Sequence, residues 1–291
     1  MIGFERTYKQ VRGPKVPSFA IYARRMKREF KRLLSRDPDE PTVQRFLESN
    51  PSLVPGSRTP GGSSGHYPLH LALIAQPPLH GFNGRVPDFM WLSKHSGNWF
   101  PCMIEIERPG KRLYTSKGVP TAEFTHARNQ LTQWQSWLNE PANQILFMDH
   151  YGVDSWIRLH CQMGRHFILI YGRRSEFEDN AARSKERGNL LSGDEQLMSF
   201  DRLTPEAEME SAVTVKPLGN GKFKVIAVPE SFGLCPNIAR FLPAYDGLEE
   251  AIEQNPNISS ERCAFLKERI GYWLEWATSG ARGITGGDFV E

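Results

Sequence analysis

Apolar positions recur at intervals of three and four from Phe19 to Leu34, at Phe19, Tyr22, Ala23, Met26, Phe30, Leu33 and Leu34. That spacing predicts an amphipathic helix, and the residues between them make its other face basic. A second helix is expected over 41–49, capped by Asp39 and closed by Asn50 and Pro51, with Val43, Phe46 and Leu47 on its apolar face. Residues 51–66 are dense in Gly, Pro and Ser and read as a loop in which nothing can pack. Three strand-length segments follow, 67–75, 85–92 and 101–107, and the turn-forming residues between them predict a three-stranded meander. Ala127, Leu131, Trp134 and Leu138 mark one face of a helix over 121–139, ended by Pro141. Residues 144–148 read as a further short strand, and 165–171 as an apolar strand buried on both faces.

Beyond Arg174 the pattern turns helical and charged over 175–187, then gives a hairpin over 213–228 turned at Gly219, Asn220 and Gly221. Two tail helices are expected, over 248–254 and 260–277. The fold class is therefore α/β: a core of helix, three-strand meander, helix and strand, with a basic helix before it and a hairpin and helical tail after it. The corresponding partition is a basic N-terminal arm (1–36), a core (37–210) and a C-terminal extension (211–291).

Composition narrows the picture. With 291 residues, 39% of them hydrophobic, the chain can bury enough apolar surface to offset its lost entropy, which excludes wholesale disorder. Its net charge of +3 is unevenly spread. The first 36 residues hold 11 Lys and Arg against Glu5 and Glu29, a local +9, which leaves the remainder at −6. A basic arm on a mildly acidic body suits nucleic acid or another anionic surface, and equally a solvated helix face. No run approaches the roughly 18 apolar residues of a membrane span, so no membrane association is expected. The basic start lacks the apolar block of a secretory signal, and the four cysteines show no paired spacing. A cytoplasmic protein with reduced thiols, no zinc site and no organic cofactor is expected.

The residues that carry chemistry are Asp88 and the Glu105-Ile106-Glu107 segment. Strand alternation puts Glu105 and Glu107 on one face. A hairpin through 93–98 would set Asp88 beside Glu105, so that three carboxylates converge. Close carboxylates repel unless a cation neutralises them, and hard oxygen ligands suit Mg²⁺ or Mn²⁺. Such an ion supports phosphodiester hydrolysis. The other reading of the same three residues is a half-exposed strand and an ordinary Pro-Asp turn.

The joint pattern decides for chemistry: Gln44-Arg-Phe-Leu-Glu-Ser-Asn-Pro51, Arg85-Val-Pro-Asp-Phe89, Ile104-Glu-Ile-Glu-Arg-Pro109, Ala127-Arg-Asn-Gln-Leu-Thr-Gln-Trp134 and Ser199-Phe-Asp-Arg-Leu203. Over roughly residues 40 to 205 the chain resembles the PD-(D/E)XK nuclease superfamily and, within it, the Shedu anti-phage defence nucleases. The resemblance implies metal-dependent cleavage of invading DNA, with Asp88 and Glu105 as metal ligands and Gln130 beside the metal or a phosphate. Glu40 would complete the site from the first core helix, with Glu48 as its rival. It also suggests a homo-oligomer. One position departs from the family pattern, because Glu107 stands where a lysine is usual. Either Glu107 is an additional ligand or base, which is the preferred reading, or a nearby cation such as Lys111 substitutes, or the fold binds DNA without cutting it. Lys111, Arg112, Arg173 and Arg174 are expected phosphate contacts at the rim of the site, and Arg24, Arg25 and Arg28 on the basic helix.

Overall fold

The computed structural model describes residues 6–58, 66–178, 181–191, 193–280 and 288–291. Apolar strand sequence assembles into a mixed sheet of nine strands. These are β1 (Ala72–Ala75), β2 (Phe89–Lys94), β3 (Asn98–Ile106), β4 (Gln162–Met163), β5 (His166–Ile170), β6 (Glu195–Met198), β7 (Val213–Gly219), β8 (Lys222–Ala227) and β9 (Tyr245–Asp246). Their order is β6-β5-β3-β2-β1-β7-β8-β9, and β4 pairs with β3. β1, β2 and β3 are successive antiparallel neighbours, which is the expected meander. β5 runs parallel between β3 and β6 and is buried from Phe167 to Ile170, as its unbroken apolar sequence requires. The β7–β8 hairpin turns through Gly219, Asn220 and Gly221, all at positive φ. Because β7 pairs with β1, this hairpin continues the same sheet.

The helices are α1 (Phe19–Leu34), α2 (Glu40–Ser49), α3 (Ala122–Asn139), α4 (Pro141–His150), α5 (Ser155–His160), α6 (Ala181–Arg187), α7 (Pro236–Ala239), α8 (Leu248–Gln254) and α9 (Ser260–Thr278). α3 and α4 cover one face of the sheet: Trp99 of β3 stacks on Phe147 of α4 with ring centroids 6.4 Å apart, and Leu131 and Trp134 are fully buried. On the other face the Trp91 indole donates to the Val54 carbonyl at 3.2 Å. α1 packs on α2 through Phe30 and Phe46, 5.4 Å between centroids, and buries Tyr22, Met26, Phe30 and Leu34 at the predicted spacing.

Four expectations are corrected. Residues 144–148 lie in α4, not in a strand: Pro141 opens a new helical turn, and a short apolar run does not distinguish the two states. The loop after α2 does pack, since Pro51, Ser52, Leu53 and Val54 are buried under the sheet; residues 59–65 of that loop lie outside the described residues. The charged stretch after Arg174 is no single helix but a 3-10 turn, Arg174–Glu176, followed by α6. The first two strands are shorter at their starts than predicted, so that Asp88 sits at the bend immediately before β2, and Glu107 falls just after β3.

Residues at the two ends of the chain meet on α9. The Tyr8 hydroxyl donates to Asp288 at 2.7 Å, and the Lys9 amide donates to the Tyr272 hydroxyl at 2.6 Å. The Glu291 carboxylate is buried between Arg269, which donates from Nε at 2.6 Å, and the Trp273 indole at 2.9 Å. Among the described residues no helix is long and apolar enough to cross a membrane.

Candidate active site

The β2–β3 register fixes the acids. Phe89 is paired with Ile104 and Met90 with Met103, so Asp88 falls opposite Glu105 and on its face of the sheet. The Ile106 amide donates to Asp88 Oδ2 at 2.8 Å, which ties the bend before β2 to the end of β3. Glu107 continues the Glu105 face one step on, its amide donating to the Ile170 carbonyl at 3.1 Å. From the start of α2, whose cap Asp39 accepts from the Thr42 amide at 3.0 Å, Glu40 comes within hydrogen-bonding reach of Glu107. Glu48, its rival, instead accepts from the Gln44 side-chain Nε2 at 3.1 Å.

Four carboxylates thus share one electrostatic neighbourhood at the end of the sheet. Burial pushes the Asp88 carboxyl up to about 7, and the Glu40 and Glu107 charges push the same way against the Ile106 N–H, which favours the ionised form. Burial also holds Glu105 well above the usual carboxylate range, reinforced by the charges of Asp88, Glu107 and Glu40. Glu40 is raised too, first by burial and then by Glu107, although the positive charges of Lys111 and Arg85 oppose this. Its position in the first turn of α2 would by itself favour the anion; crowding wins.

The donor set fits a hard divalent cation. Glu105 and Glu107 are 5% exposed, Glu105 Oε2 has no hydrogen-bond partner among the described residues, and neither has either amide atom of Gln130. Buried polar atoms are normally satisfied and close carboxylates repel, so the unpartnered Glu105 oxygen is an atom that a bound cation would satisfy. The described residues hold no ready-made cage of three or more His, Cys, Asp or Glu side chains. Mg²⁺ does not need one: it keeps several waters and commonly takes one or two carboxylates plus substrate phosphates. Asp88 and Glu105 would hold the ion, with Glu40 and Glu107 behind them.

Gln130 lies on the buried face of α3, one turn before Trp134, whose indole donates to the Arg85 carbonyl at 2.7 Å. The expected basic contacts divide. Lys111 forms an ion pair with Glu107, and Arg112, Arg174, Arg24 and Arg28 are exposed. Arg25 pairs with the buried Glu230, and Arg173 is bound to Asp201 at 2.7 Å and to the Leu34 carbonyl at 3.0 Å. These two arginines are occupied within the fold. Two further residues contribute that the sequence pattern does not single out. Glu176 accepts from the amides of both Leu113 and Tyr114 at 2.9 Å, and Arg85 acts on Glu40 through its charge. Arg85 stood inside the quoted Arg85–Phe89 stretch; nothing in the local pattern marks Glu176.

The family model for the C-terminal part of the Shedu protein SduA matches residues 37–204, more than half of the chain. The chain belongs to the Shedu family. A comparison with curated proteins finds no match. The Shedu region takes in α2, the meander, α3, β5 and β6, and so every one of the four clustered carboxylates. Membership of the Shedu family implies a role in anti-phage defence.

Proposed function

We propose that this Shedu protein is a metal-dependent endonuclease of the PD-(D/E)XK type, hydrolysing phosphodiester bonds of phage or plasmid DNA in the cytoplasm. The observation that carries the reading is the convergence of Asp88 and Glu105 across the β2–β3 register, both with raised pKa and with an orphaned carboxylate oxygen between elements of the matched region. Mg²⁺ or Mn²⁺ bound there would supply Lewis-acid charge and a nucleophile at neutral pH. The protein's own part is to hold two oxygens from adjacent strands in fixed geometry, to exclude bulk water through the surrounding apolar layer, and to accept a proton at Glu107. Gln130, on the buried face of α3 with both amide atoms unpartnered among the described residues, would orient a phosphate or a water. Arg112 and Arg174 at the rim, and Arg24 and Arg28 on α1, would position the DNA backbone without reading its sequence. Two copies would be needed to cut both strands together, which favours a homo-oligomer.

The exposed basic face of α1, with Arg24, Lys27, Arg28, Lys31 and Arg32 all open to solvent, supports a second reading, a catalytically silent DNA-binding sensor. One experiment separates the two. Linear and nicked duplex DNA is incubated with the full chain and Mg²⁺ or Mn²⁺, beside the Asp88→Ala and Glu105→Ala variants. The nuclease reading expects metal-dependent products and a loss of at least about 100-fold in each variant. Salt-sensitive binding without cleavage, unchanged by either substitution, would establish the sensor.

A further inference from the structure

The four-carboxylate neighbourhood has one direct cationic partner among the described residues, and it does not come from the strand. Lys111 Nζ contacts Glu107 Oε2 from the turn that follows β3, where the Lys111 amide donates to the Arg108 carbonyl at 3.0 Å. The Glu107 side chain is 6% exposed and that of Lys111 34%, so this contact lies at the boundary between the buried acids and solvent. A surface lysine would wander. This one is carried by a segment fastened on every side: Arg108 pairs with Asp37, the Thr121 hydroxyl donates to the Arg112 carbonyl at 3.0 Å, and Glu176 takes the Leu113 and Tyr114 amides, one on each carboxylate oxygen. Gly172, at φ +67°, passes so close that a Cβ there would lie 3.1 Å from the Lys111 carbonyl oxygen.

We infer that Lys111 is a catalytic residue of this site, donating to a non-bridging oxygen of the phosphate under attack, and that Glu176 is the positioning residue that holds its loop. The inference rests on the nuclease reading above. An ammonium has three donors, and Glu107 uses one, leaving the others to face an entering phosphate. The other nearby arginines are committed elsewhere or exposed: Arg108 is paired with Asp37 and Arg173 with Asp201, while Arg112 and Arg85 are exposed, the latter acting on Glu40 through its charge alone. Charge balance asks for such a group. Even with a divalent ion held by Asp88 and Glu105, four neighbouring carboxylates would repel a phosphodiester, and an ammonium paired with Glu107 at the solvent boundary would lower that barrier. In the reaction a water oxygen bonds to phosphorus while the bond from phosphorus to one deoxyribose oxygen breaks. One water proton passes to a carboxylate and the leaving alkoxide is protonated by solvent, giving a phosphomonoester and a hydroxyl. Lys111 keeps its proton throughout; it stabilises charge growing on the non-bridging oxygen.

The test is single-turnover cleavage of linear duplex DNA by the full chain with Mn²⁺ at saturating protein, with DNA affinity measured separately without metal. Lys111→Met is expected to lose about 100-fold in cleavage rate while DNA affinity changes by less than about threefold. Lys111→Arg keeps the charge and should retain activity within about tenfold. Glu176→Ala should lower kcat with KM little changed, and Glu176→Gln, which keeps one acceptor oxygen, should fall between. A purely structural lysine would leave the single-turnover rate of the folded Lys111→Met protein at the wild-type level, with the folded fraction read by circular dichroism of the same sample. Full single-turnover activity of Lys111→Met, in a protein whose activity Asp88→Ala abolishes, overturns this inference alone; an inactive wild type overturns the nuclease reading with it.

Discussion

Asp88 shows how one carboxyl couples the site to stability. Its proton affinity is raised in the fold, to about 7 against an unfolded value of about 4. The folded chain therefore holds more protons there than the unfolded chain between these values, so stability falls as pH rises across that window. In chelator, thermal unfolding of the wild type should lose several degrees between about pH 4.5 and pH 7.5. Asp88→Asn removes the titrating charge and should be the more stable of the two at pH 7.5, while losing the proposed cleavage. Parallel pH profiles for the two proteins would contradict this. At this scale much was legible: alternation gave Glu105 and Glu107 one face, and loop length brought Asp88 opposite. The Lys111 contact was only one alternative, because a turn closing through the Arg108 carbonyl has no sequence period to betray it. Glu176 left no trace at all, since its partners are backbone amides 62 and 63 residues away.

Elements were read well where a period ran long and poorly where the run was short. α1, α3 and α9 carry 16, 18 and 19 residues with clear apolar faces, and each was expected within a residue or so at its ends. The five residues 144–148 cannot separate a period of 2 from one of 3.6, and Pro141 marks both the end of α3 and the start of α4. β6 escaped notice: it is an edge strand of mixed polarity, recruited by pairing with β5. The Ser199–Leu203 motif acquires a physical role at this scale. Asp201 accepts from Arg173 Nε at 3.0 Å and from the Arg174 amide at 2.7 Å, holding the exit of β5 in the turn that leads to Glu176. Asp201→Ala should cost about 1–3 kcal/mol in urea unfolding. Because Glu176, which fastens the loop carrying Lys111, follows this turn, cleavage should fall further in Asp201→Ala than in Asp201→Asn, whose amide keeps one acceptor oxygen. A midpoint unchanged within error would show the motif to be ornamental to the fold.

At the scale of the molecule the sequence pattern named the pieces but not their attachment. The hairpin after residue 212 read as an appendage, yet its first strand pairs with β1 and completes the sheet. The basic lead-in read as an arm, yet residues 8–11 lie against α9, held by Asp288, Tyr272 and Glu291. Contacts spanning some 280 residues leave no local signature. The outer face of α1 carries exposed Arg24, Lys27, Arg28, Lys31 and Arg32, and Phe30 of that helix stacks on Phe46 of α2, which opens at Glu40. A polyanion on α1 would thus bind the layer that supplies one of the four acids. Everything turns on whether those acids gather an ion. Crystals of the full chain soaked in Mn²⁺ and measured at the manganese absorption edge should show an anomalous peak between Asp88 and Glu105, and none there in Asp88→Asn. A wild-type site that stays without a peak at saturating Mn²⁺, or an ion seated only elsewhere, would refute a metal-dependent nuclease at this end of the sheet.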